Sequence, residues 1–215
     1  MLTLADWRAT WNELGLICPD AEFVELQERY REPQRAYHTW QHLEECFEHF
    51  ESVPPFAEQP AEVELALWYH DAVYDPRRHD NEERSCDLAV AAMELAGGSP
   101  ELSERISSLI LATRHAETPT SRDAQLVVDV DLAILAAEPE RFDEYERQVR
   151  QEYAWVPWPD YVAGRSMILT RFLERPRIFA TDWFHERFED RARTNLQESV
   201  RRMRGQHASS VQSSP

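Results

Sequence analysis

Residues 61–73 read Ala61-Glu62-Val63-Glu64-Leu65-Ala66-Leu67-Trp68-Tyr69-His70-Asp71-Ala72-Val73. Val63, Ala66, Leu67, His70 and Val73 recur at the spacing of one helix face, and no two-residue alternation competes with it. A helix this apolar belongs in a core. It runs into an imidazole and a carboxylate, and burying such charge is costly unless a neighbouring group pairs it. The stretch therefore predicts a buried helix that delivers His70-Asp71 to a polar site.

Helical spacing continues outward in both directions. Upstream, Leu4, Trp7, Trp11 and Leu14 mark one amphipathic segment stopped by Pro19, and Phe23, Leu26 and Tyr30 mark a second that ends before Pro33. A third runs from about Tyr37 to Phe50 and is closed by Pro54-Pro55. Downstream, Tyr74 to Asp80 is a polar, proline-containing loop. Asn81 suits the N-cap of a helix that reaches Leu95 and stops at Gly97-Gly98. Further helices fit residues 100–112, 123–137, 139–153, 160–173 and 182–203. Leu126-Val127-Val128 has the propensity of a short strand, and Trp155-Val156-Pro157-Trp158-Pro159 reads as a core plug between helices. No internal repeat or linker interrupts the pattern. The expected architecture is a single all-α domain over residues 1–204, a bundle of about nine or ten helices, followed by a disordered Ser- and Gln-rich tail over 205–215.

With 215 residues, 42% hydrophobic and 11% aromatic, the chain has enough apolar material for a core. Its net charge of −17 repels nucleic-acid backbones and anionic membrane surfaces. All 23 basic residues are arginine, so Schiff-base and P-loop lysine chemistry is excluded. Cys18, Cys46 and Cys86 are too scattered for a disulfide framework. The charged N-terminus does not resemble a signal peptide, and no run of about 18 apolar residues occurs. A cytoplasmic protein is expected; nothing in the sequence fixes its oligomeric state.

His38 and His42 stand four apart and, on one helix, share a face. His70 and Asp71 are adjacent, and near a helix end both can reach a point beyond it. Asp129 or Asp131 adds a carboxylate from another helix. Two imidazoles and two carboxylates suit a divalent cation, with Zn, Mn, Fe, Co, Ni or Mg all compatible. Cys46 falls on the same stripe, where a small core cysteine is a simpler reading than a soft ligand.

Four elements carry a family resemblance. Arg35-Ala36-Tyr37-His38 through His42, Trp68-Tyr69-His70-Asp71-Ala72-Val73-Tyr74, Asn81-Glu82-Glu83-Arg84-Ser85 and Asp129-Val130-Asp131-Leu132-Ala133-Ile134-Leu135 resemble elements of a bacterial group within the HD superfamily of metal-dependent phosphohydrolases. The likeness is close over residues 35–135 and looser through the C-terminal helix. It implies an HD-type helical domain in which metal-activated water cleaves a phosphoester of a small phosphorylated metabolite such as a nucleotide. The first element is also similar to that of cyclic-nucleotide phosphodiesterases. By that similarity His42, His70, Asp71 and Asp131 are metal ligands and His38 is a general acid; the other assignment makes His38 the ligand with His42 behind it. The phosphodiesterases' additional histidine shortly after the His-Asp pair is not matched. Glu82 either positions water or a ligand, or simply complements a helix dipole. His115 either touches phosphate or a second metal, or caps a helix end. Arg165 and Arg171 offer guanidinium forks to a phosphate. The competing functional reading is a non-catalytic HD-fold module that senses a nucleotide or a metal.

Overall fold

The computed structural model describes residues 1–53 and 56–212, with side chains through Gly205. Pro54-Pro55, expected to close the third helix, and residues 213–215 of the expected tail lie outside the described residues. The protein is all-helical: ten α-helices and one 3-10 turn, with no strand among the described residues. Its contacts divide the chain into two compact units, Met1–Asp131 and Leu132–Pro215. None of the described helices is long and apolar enough to cross a membrane.

The first unit contains α1 (Leu4–Glu13), α2 (Asp20–Arg29), α3 (Trp40–Ser52), α4 (Pro60–Tyr69), α5 (Asn81–Leu95), α6 (Pro100–Ala112) and α7 (Arg122–Asp131). Helix α4 is the hub: α1, α3, α5, α6 and α7 all pack on it. Its sequence explains why, since eight of its ten residues are buried and no face is left for solvent. Trp68 anchors the packing, meeting Trp7 edge-on at 5.3 Å and Phe47 at 4.8 Å between ring centroids. Its indole N–H donates to Thr10 Oγ1, so the ring is buried without an orphaned donor.

Three local departures from the sequence reading follow from side-chain contacts. Helix α3 begins at Trp40 behind the N-cap Thr39, so Tyr37 and His38 precede it rather than ride on it. Asn81 is the first residue of α5 and Asp80 the N-cap. The Asn81 amide is occupied elsewhere, accepting from the Asp75 N–H (3.1 Å) and donating to the Asp75 carbonyl (3.0 Å). Leu126, Val127 and Val128 are buried within α7, where tertiary burial overrides their strand propensity.

The second unit contains the 3-10 turn Leu132–Ala136, α8 (Pro139–Glu152), α9 (Trp158–Glu174) and α10 (Asp182–Gln212). Asn195 of α10 donates to the carbonyls of Leu135 and Ala137, tying helix to turn. The backbone of α10 runs on to Gln212. The segment 205–212, expected to be disordered, is thus helical, because extending an existing helix gains one hydrogen bond per residue fixed. Trp155 and Trp158 are 50% and 37% exposed and do not plug a core. The α8–α9 connection is held instead by Arg150, which donates to the carbonyls of Tyr153 and Val156.

Glu189 gives this unit a pH dependence. Its carboxylate accepts the N–H groups of Ile178 (3.0 Å) and Phe179 (3.2 Å) and pairs with Arg193. Burial pushes its pKa up, but these bonds outweigh burial and hold it below the ordinary glutamate value. A depressed folded-state pKa adds stability above the unfolded value, lost as pH falls through the folded one. Glu189→Gln should therefore flatten the acid limb of thermal stability below about pH 4.5, measured by circular dichroism across pH.

Candidate metal centre

The end of α4 sets the first pair of groups. His70 occupies the C-cap, and its Nδ1 lies 2.8 Å from the Leu67 carbonyl. A carbonyl only accepts, so Nδ1 carries the proton and Nε2 presents a bare lone pair. The following turn is pinned from α5, where Ser85 Oγ accepts the Val73 N–H at 3.1 Å. Asn81 and Ser85 thus brace the turn carrying His70-Asp71.

Arg35 holds the approach to α3 against the same turn. Its guanidinium donates to the carbonyls of His38 (3.0 Å), Asp71 (2.7 Å) and Ala72 (3.1 Å) and pairs with Glu32. The side chain is fully buried. His38, held at its backbone, stacks its ring on Tyr74 with centroids 3.9 Å apart. One helical step later, His42 bonds through Nδ1 to the Tyr37 hydroxyl (2.9 Å), which turns Nε2 inward.

Asp131, the last residue of α7, completes the set. His42 Nε2 lies 3.1 Å from His70 Nε2, 3.2 Å from Asp131 Oδ1 and 3.5 Å from Asp71 Oδ2. His70 Nε2 lies 3.2 Å from Asp71 Oδ2 and 3.7 Å from Asp131 Oδ1. Ligand atoms about 2.1 Å from one ion stand roughly 3–3.5 Å from each other. The separations between the imidazole nitrogens and the carboxylate oxygens are close to that spacing. Cys46, one turn after His42, joins the group: His42, Cys46, His70 and Asp131 offer ligand atoms all within 4.8 Å of one another and can hold a metal ion.

Electrostatics point the same way. Burial pulls the imidazoles of His42 and His70 down and pushes the carboxyls of Asp71 and Asp131 up, and in each case the neighbours reverse it. Cys46, Tyr37, Asp131 and Asp71 hold His42 well above its ordinary value, and Asp71 and Asp131 raise His70. His70, His38 and His42 hold Asp71 well below the carboxylate range; His115, His42 and His70 do the same to Asp131. The cluster favours positive charge at its centre, which a divalent ion supplies more fully than a proton.

The remaining sequence candidates divide. Asp129 is buried on α7 two residues from Asp131, a spacing that puts the two carboxylates on different faces. His115 is not on a helix but beyond the end of α6, in the left-handed backbone region (φ 53°). A non-glycine residue there is uncommon, and its Nε2 reaches Asp131 Oδ2 at 3.0 Å. Glu82 sits half-buried in the first turn of α5; burial raises its carboxyl, and Asp71 adds to the rise. Arg165 belongs to the second unit and is spent on a buried ion pair with Glu146 (2.5 Å), so its fork is not free for a phosphate. Arg171 is exposed on α9. Cys46 is buried as a core cysteine would be, and its i+4 spacing from His42 is the sequence signal that puts it beside the cluster.

Tyr37 is a testable support of this geometry. Tyr37→Phe removes the bond that aims His42 and should weaken metal binding by roughly 10–100-fold with the helical signal unchanged, measured by competition calorimetry.

Fold and site define an all-α protein with a buried candidate metal centre of His, Cys and Asp residues. No protein-family model, curated protein or solved structure matches the chain.

Proposed function

We propose that the chain is an HD-type, divalent-metal-dependent phosphohydrolase that cleaves a phosphoester of a small phosphorylated metabolite, nucleotides included. The observation that carries the reading is that His42 Nε2 and His70 Nε2 lie 3.1 Å apart and each stands 3.2–3.7 Å from Asp71 Oδ2 and Asp131 Oδ1, with His38 beside them. When bound, a divalent ion supplies Lewis-acid polarisation of water and of a phosphoryl oxygen.

The chain's own groups account for the rest. The two carboxylates bring the site close to neutrality around a doubly charged ion, which lets an anionic substrate approach a protein of net charge −17. His115 occupies Asp131 Oδ2 and leaves Oδ1 facing the imidazoles. His38 is half-buried and stacked on Tyr74. An imidazole there can give a proton to the departing oxygen. Glu82, its carboxyl raised, can orient water by hydrogen bonding.

Phosphate release from nucleotides and sugar phosphates by the full-length protein, loaded in turn with Zn, Mn, Fe, Co, Ni or Mg, tests the proposal. Turnover in at least one loaded form, abolished by a chelator, is expected. Tight metal and nucleotide binding with no release of phosphate from any substrate would replace the enzyme with a sensing module.

A further inference from the structure

We infer that Cys46 is itself a ligand of the bound ion, so that the centre selects thiophilic divalent ions, zinc foremost, over magnesium and manganese. The inference rests on the reading of the cluster as a metal centre and adds the identity of the ion. Cys46 lies one helical turn after His42 on the same face of α3. Its sulfur is 3.7 and 3.8 Å from the two ring nitrogens of His42, and the residue is only 2% exposed.

The other two thiols have partners elsewhere: Cys86 donates to the Ser107 carbonyl and Cys18 to Asp20. Only Cys46 meets imidazoles and a carboxylate as a group. On metal uptake its S–H bond breaks, the proton leaves to solvent and the thiolate pair forms the bond to the ion. Thiolate with imidazole favours zinc, cobalt and iron, whereas oxygen-only preferences favour magnesium and manganese. Two imidazoles and one carboxylate stand with the thiol in that group.

Cobalt reports sulfur ligation directly. Full-length protein loaded with Co²⁺ should show a near-ultraviolet sulfur-to-cobalt charge-transfer band. A chain carrying Cys18→Ser and Cys86→Ser should keep the band, and Cys46→Ser and Cys46→Ala should lose it. Both Cys46 variants should bind zinc at least about tenfold more weakly while manganese affinity holds, so the preference between the ions narrows. Cobalt bound stoichiometrically without the band, or an unchanged zinc-to-manganese preference in both variants, would overturn the inference and leave the metal centre standing. Failure of the protein to bind cobalt at all would overturn both.

Discussion

If the chain is the proposed metal-dependent phosphohydrolase, Asp71→Asn should remove metal binding and turnover together while the helices stay folded, with metal affinity falling by at least about 100-fold, or about 2.7 kcal/mol. The asparagine keeps the size of the aspartate, and its oxygen can still face His70 and His42, now 3.2 and 3.5 Å from the carboxylate. What disappears is one of the carboxylate charges compensating the ion, together with the stronger oxygen donor. Turnover should fall by about a thousandfold or more, because an unfilled site lacks both the polarised water and the charge that meets the phosphoryl group. The side chain is 15% exposed and asparagine keeps its shape, so stability should change by only about 1 kcal/mol. Calorimetric metal titration, phosphate release and circular dichroism on the same preparation separate the effects. Hydrolysis at the wild-type rate would remove Asp71 from the mechanism.

Arg35→Ala is expected to cost more in stability than any other single change at the site, about 3–5 kcal/mol. One buried guanidinium satisfies the carbonyls of His38, Asp71 and Ala72 and the carboxylate of Glu32. It also packs over the rings of Tyr30 and Tyr74, at 5.1 and 5.6 Å from their centroids. Alanine leaves three inward-facing carbonyls without that donor, while the Glu32 carboxylate keeps its bond from Gln34. For a chain of this size the melting temperature should drop on the order of 10 °C. Arg35→Lys should recover only part of this, since an ammonium cannot fork across three carbonyls at once. Metal affinity should fall as well, because the arginine ties the His38 backbone to the turn bearing Asp71. A melting temperature within about 2 °C of wild type would show that the clamp contributes little.

The hub helix and the metal-facing residues were legible because both rest on local spacing. Apolar residues on every face of α4 demand burial, and His70-Asp71 at its end demand partners, whatever the tertiary fold. The Asp-Leu context favoured Asp131 over Asp129, and Asp131 is the one that stands beside the imidazoles. What the sequence hid depends on partners distant in the chain. His38 looks like part of α3 until Arg35 is seen holding its carbonyl and Thr39 is seen in extended backbone at the N-cap position. The left-handed backbone of His115 has no compositional mark. Arg165 looks like a phosphate fork until Glu146, on another helix of its unit, claims it. Cys46 looks like core packing until three other ligand atoms surround it.

The central claim is that these side chains form a metal centre, and metal stoichiometry tests it most directly. Titrating the chelator-treated, full-length protein with zinc and with manganese, followed by elemental analysis after buffer exchange, should give one tightly held ion per chain, with binding lost in His70→Ala. Absence of stoichiometric binding for either ion, or undiminished binding in His70→Ala, would contradict the account.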